Sequence, residues 1–136
     1  RISLIERDII WVTSHIRGGM EKGMKWWKEG KLLNKKNTFE DYIASAKFLI
    51  EKKFTSKGNI IGMGGSAGGL LMGAVINQAP ELFLGVIMAV PFVDSLTTNL
   101  DHSLPLTVGE FDDGAFGCQC LADEFVDELG LTAWTA

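Results

Sequence analysis

Histidine and cysteine are scarce, with two of each in 136 residues. Cys118 and Cys120 stand one residue apart with no histidine near them, which is not metal-site spacing, and such close neighbours seldom bridge to each other. The expectations are no metal, no cofactor and a reducing, cytoplasmic compartment. Long apolar runs are lacking too. The longest, Leu82 to Val93, is too short for a bilayer span and contains Pro91, so it reads as a buried strand. Charge of one sign is not in excess either. A formal net charge of -4 gives no support to nucleic-acid binding. Lys22, Lys25, Lys28, Lys31, Lys35 and Lys36, interspersed with Glu21, Glu29 and Glu40, read as a solvated face. No targeting segment, repeat or low-complexity stretch is visible, and neither a membrane nor a nucleic acid is an expected partner.

What the chain does have is core-forming material: 46% hydrophobic and 22% charged residues, enough for one core and one domain. Residue 1 is Arg and the strand-like Ile9-Ile10-Trp11-Val12 arrives almost at once, so the sequence reads as an excerpt beginning inside a domain. Arg7 to Ile16, apolar and β-branched, predicts a strand running into the Arg17-Gly18-Gly19 turn. A short helical piece with Trp26 and Trp27 follows and ends near Gly30.

Thr38-Phe39-Glu40-Asp41 has the form of a capping box, in which the Thr hydroxyl accepts from a backbone N–H three residues on and the acid answers back. Phe39, Tyr42, Ile43, Ala46, Leu49 and Ile50 then recur at helical spacing as far as the Thr55-Ser56-Lys57-Gly58 loop. Asn59 to Met63 predicts a strand, Ala67 to Gln78 a helix, and Leu84 to Val90 a strand apolar enough to be central. The alternation predicts an α/β fold with right-handed crossovers, a mostly parallel sheet, helices on both faces, and ligands at the carboxyl ends of the strands.

One such end carries Gly64-Gly65-Ser66-Ala67-Gly68, the form of a nucleophile elbow. A serine hydroxyl attacks a carbonyl only when its proton is taken and its oxygen is presented, and a sharp strand-to-helix turn does the presenting. That turn forces the serine backbone into a sparsely populated conformation, so Gly64 and Gly68, two residues either side, lack side chains that would clash, while Gly65 and Gly69 widen the room. The Ala67 N–H, in the first helical turn, is placed to stabilise an oxyanion. Two other readings compete. A glycine-rich turn also serves close packing, and a phosphate loop is disfavoured because no Lys-Ser or Lys-Thr follows the glycines.

Arg17-Gly18-Gly19, Trp26, Gly30-Lys31-Leu32, Lys36-Asn37-Thr38-Phe39 and Asp41-Tyr42 come first along the chain. Gly64 to Leu71, Asn77 to Phe83 and Val90-Pro91-Phe92-Val93-Asp94 follow. In this order they resemble the prolyl oligopeptidase family of serine peptidases, and most strongly its members that cut after Arg or Lys. The likeness covers nearly everything to Asp113. It implies that residues 1–113 are part of an α/β-hydrolase catalytic domain without its first strands and its C-terminal part. In whole members a β-propeller domain restricts access to short peptides. The resemblance further implies a Ser-Asp-His triad in that chain order, with Ser66 as nucleophile and Ala67 N–H as one oxyanion donor. The second donor is a tyrosine upstream of Arg1.

A guanidinium is held by stacking on an aromatic face and by a bidentate carboxylate, and the family positions that do this match Phe92 and Glu110, with Asp112 assisting. On the residues alone, Phe92 after a buried strand is equally a core side chain, and Glu110 in a polar loop a solvated one.

The chain also departs from the pattern. Met20 stands where a third glycine is usual after Arg17-Gly18-Gly19. After Asp113 the likeness stops, and residues 114–136, acidic and amphipathic with Leu121, Phe125 and Leu129 on one helical face, read as a tail foreign to the fold. The triad Asp and His are expected to be absent. His102, with Asp101 or Asp94, is the one substitute base after Ser66, at a position to which the family assigns no catalytic role, and His15 reads as structural or exposed. Three functions remain open: a serine endopeptidase cutting after Arg or Lys in short peptides, an esterase or acyl hydrolase of the same fold, and an inactive truncated product prone to aggregate.

Overall fold

The computed structural model describes residues 2–94. Helix α1 spans Ile2–Ile5, α2 Met24–Lys28 and α3 Lys36–Glu51. Strand β1, Ile60–Gly65, leads into α4, Ala67–Gln78, and then into β2, Phe83–Ala89; single 3-10 turns occupy Leu32–Asn34 and Pro80–Leu82. The two strands are parallel neighbours, Met63 opposite Ile87, Gly64 opposite Met88 and Gly65 opposite Ala89, so β1, α4 and β2 form one crossover unit. Ser66 follows the last residue of β1, at the carboxyl end of the pair.

Apolar side chains on α3, α4 and the strand starts explain why these pieces associate. Phe39 and Ala46 from α3, Leu71, Met72, Ala74 and Val75 from α4, and Leu82 and Phe83 at the start of β2 make one buried cluster. Met72 and Val75 are fully enclosed. The Tyr42 ring stacks on Phe83 with centroids 6.2 Å apart, bringing α3 onto the same sheet face as α4. On the other face, Ile61, Met63 and Ile87 are exposed among the described residues. The loop before β1 is fastened by the Gly58 N–H, which donates to the Leu82 carbonyl at 3.2 Å. No helix among the described residues is long and apolar enough to cross a membrane.

Two expectations of burial fail. Lys35, read as part of a solvated face, is buried, and the strand read as buried and central forms β2 with Leu84, Ile87 and Met88 exposed. Two expectations of local structure need correction as well. Arg7 to Ile16 is not a strand: residues 9–16 belong to no regular element, and the nearest ladder contact is an isolated bridge between Arg17 and Gly19. A strand exists only by pairing, and no described strand forms a ladder with this segment. It is fixed instead by Ser14, whose hydroxyl meets that of Ser45 on α3 at 2.6 Å, and by Ile16 against the core.

The second correction concerns the capping box. Helix α3 begins at Lys36, so Thr38 lies inside it. Its hydroxyl donates to the carbonyls of Arg17 at 2.8 Å and Gly30 at 3.1 Å, and Asp41 pairs with Arg17. The Gly30 carbonyl, buried beside Thr38, and the partly buried Arg17 carbonyl need a donor, and that tertiary demand displaces the local cap.

Candidate active site

Ser66 adopts φ 53° and ψ -117°, a left-handed φ combined with a ψ outside the small region open to a residue with a side chain. The strain places the serine at the surface, where its side chain is exposed. Backbone hydrogen bonds hold it there. The Ser66 N–H donates to Ala89 O at 3.0 Å, while its carbonyl accepts from Gly69 N–H at 2.8 Å and Phe92 N–H at 3.1 Å. No side-chain cap closes the start of α4, and among the described residues Ala67 N–H donates to nothing. An exposed hydroxyl beside an unengaged amide at a 12-residue helix start suits attack on a carbonyl and stabilisation of the resulting oxyanion.

The glycines divide the steric work unevenly. A Cβ on Gly64 would sit 2.1 Å from Gly68 O, so strand and helix approach too closely there for any side chain. A Cβ on Gly68 would meet nothing within 4 Å. The tight place on the helix is instead Gly69, where a Cβ would come 2.5 Å from Pro91 Cα. The motif alone points to Gly68; the contact made by Gly69 is with a residue more than twenty positions on, which no local pattern reveals.

Phe92 is half-buried and lies next to the elbow through its amide bond to Ser66 O. Asp94 is exposed. Glu110, Asp112, Asp101, His102 and the segment 114–136 lie outside the described residues. Among those described, no group of three His, Cys, Asp or Glu side chains is arranged to hold a metal. His15 is exposed, and its Nδ1 stands 3.5 Å from Glu21 Oε1.

A second cluster, not anticipated as such, organises the Arg17-Gly18-Gly19 turn. Arg17 donates through Nε to Asp41 Oδ2 at 2.8 Å, through Nη2 to Oδ1 at 2.6 Å, and through its backbone N–H to Oδ2 at 2.9 Å. These hydrogen bonds hold the Asp41 carboxyl below the usual carboxylate range, burial opposing them. Met20 is exposed at the end of the turn, which forms without a third glycine. Beneath β1, burial pushes the Tyr42 hydroxyl up, and contact with the Met63 backbone partly offsets the shift.

The profile of the prolyl oligopeptidase family matches residues 1–122, continuing past Asp113 into the start of the segment read as foreign. Protease 2 of Moraxella lacunata is 53% identical over 113 residues, 83% of this chain and 16% of that protein. Oligopeptidase B from Leishmania major superposes with a TM-score of 0.71 at 47% identity, over 79% of this chain and 16% of its own. Oligopeptidase B from Trypanosoma brucei, with covalently bound antipain and in its closed form, gives 0.68 at 49% identity over 73% and 14%. The chain therefore spans about one-sixth of the length of the relatives it matches. Its β1-α4-β2 unit and the packed α3 are part of an α/β-hydrolase fold.

Proposed function

Since this chain belongs to the prolyl oligopeptidase family, we propose that it carries the nucleophile segment of an oligopeptidase B-like serine endopeptidase, which cuts after Arg or Lys in short peptides. The observation that carries the reading is Ser66: an exposed serine at φ 53°, held by backbone alone beside the Ala67 N–H.

In this reading Ser66 Oγ attacks the carbonyl carbon of the scissile bond while a histidine base takes its proton, and the Ala67 N–H steadies the oxygen that gains the charge. The same base returns the proton to the leaving amine, leaving an acyl-serine that water then hydrolyses. Phe92, tied to the Ser66 carbonyl, offers its ring to the guanidinium or ammonium of the substrate, and Glu110 with Asp112 supplies the opposing charge. Covalent capture of antipain by a relative 49% identical is consistent with a nucleophile of this kind. The base, its orienting acid and a β-propeller domain belong to the whole peptidase, and the 136-residue polypeptide by itself is inactive or nearly so.

The test uses two proteins. The isolated chain is treated with a fluorophosphonate, with weak or no labelling of Ser66 expected. In parallel, residues 2–94 replace their counterpart in a complete oligopeptidase B, and cleavage of an arginine amide is assayed. The chimera is expected to cleave it, with Ser66→Ala lowering kcat by at least about a thousandfold. A chimera that hydrolyses simple esters but leaves arginine amides intact would replace the peptidase reading with that of an acyl hydrolase.

A further inference from the structure

Ser66 is not the only strained residue at this end of the sheet. Val90, directly after β2, has φ 42°, although it is β-branched and precedes a proline. Each of those properties disfavours its conformation: the branch crowds the left-handed region, and the proline ring pushes the preceding residue toward extended backbone. Its side chain gives no return in packing, being 85% exposed.

The surroundings explain what the strain maintains. On one side of Val90, the Ala89 carbonyl accepts the Ser66 N–H at 3.0 Å; on the other, the Phe92 N–H donates to the Ser66 carbonyl at 3.1 Å. Both bonds converge on one residue, so the chain from Ala89 to Phe92 forms a bracket around Ser66. Pro91 inside the bracket has a φ fixed by its ring and lies against Gly69, where even a methyl group would not fit. The reversal that closes the bracket therefore falls on Val90.

We propose that Val90 is a positioning residue of the site: its left-handed backbone closes the bracket that sets where Phe92 stands relative to the Ser66 nucleophile. This deepens the peptidase reading and rests on it for the roles of Ser66 and Phe92. A peptidase selective for a long basic side chain needs a fixed offset between the ring that receives that side chain and the oxygen that attacks the carbonyl. A bracket of two hydrogen bonds on the nucleophile itself supplies such an offset, and extended backbone at Val90 would carry the Phe92 amide away from Ser66.

Amide hydrogen exchange on the 136-residue chain tests this, with Phe92 as reporter and Val75 in α4 as the core control. Position 90 does not adjoin the Phe92 amide, so substitutions there leave its intrinsic exchange rate unchanged. Val90→Asn and Val90→Gly, which accept a left-handed φ, are expected to slow Phe92 exchange by about tenfold. Val90→Ile leaves it as in the wild type. Val90→Pro, confined to negative φ, abolishes protection and shifts the Ser66 amide resonance while Val75 stays protected.

That order is the reverse of β-propensity, which a residue merely ending a strand would follow. Faster exchange in the Asn and Gly variants, or a wild-type Phe92 amide exchanging as if unprotected, would overturn the proposal. Failure of the arginine-amide assay with the exchange order intact would instead sink the peptidase reading and leave the bracket standing.

Discussion

The Arg17 turn and the Ser66 elbow are both glycine-rich reversals fastened by main-chain bonds and close backbone approach, but side chains reinforce only the first. In the first, the Gly18 N–H donates to the Trp26 carbonyl and Gly30 packs against the Arg17 and Gly18 backbone. In addition, Asp41 takes three hydrogen bonds from Arg17, and the Thr38 hydroxyl bridges the carbonyls of Arg17 and Gly30. The second is held by main-chain bonds to Ala89, Gly69 and Phe92 and by the absence of Cβ atoms at Gly64 and Gly69. A turn secured by ionised side chains responds to pH and to single deletions in a graded way. A turn secured by close backbone approach tolerates changes of solvent but not an added methyl group.

The sharpest way to break the comparison is Gly64→Ala. Its Cβ would lie 2.1 Å from a backbone oxygen, so no rotamer relieves the overlap, and the expected loss is about 3 kcal/mol or more by chemical denaturation. Next comes Asp41→Ala, which leaves the Arg17 guanidinium and backbone N–H without their acceptor. With both side chains only a quarter exposed or less, about 2 kcal/mol should be lost.

Acid titration should separate the two regions further. Asp41 has a folded pKa depressed by Arg17, so the pair's contribution is full above the usual carboxylate range, about pH 4, and is lost as pH falls through the lower folded value. In Asp41→Asn that part of the acid limb disappears, whereas variants at Gly64 keep it. The smallest effect is expected from Gly68→Ala. With open space around the new methyl and a helical position beneath it, stability should be unchanged or rise by up to about 1 kcal/mol. A loss as large as that of Gly64→Ala would mean that the motif position, rather than the observed contact, decides the cost.

The same contrast explains how much was legible beforehand. Helix α4 was readable to the residue, β1 and β2 to within two and α3 to within about three, because each has its own apolar periodicity or composition. The elbow was readable because its chemistry is local: strand, glycines, serine, helix. What the sequence did not reveal depends on partners distant along the chain. Thr38 and Asp41 looked like a cap, since nothing nearby shows that Arg17 and Gly30 will present acceptors and donors to them. Arg7 to Ile16 has strand composition, but composition cannot supply a neighbouring strand. Gly69 and Val90 matter through Pro91 and Ser66, across the turn between two sheet ends.

Tyr42, wedged between Phe83 and the Met63 backbone, gives this site an internal optical reporter. It is the chain's only tyrosine. Ionisation of a phenol changes its ultraviolet absorption, and here the phenol titrates above its ordinary value only while burial persists. An alkaline absorbance titration therefore senses whether α3 remains seated under the strand that leads into Ser66, without label, substrate or substitution. Variants that unseat that strand should return the tyrosine to the spectrum of a solvated phenol before the rest of the molecule unfolds.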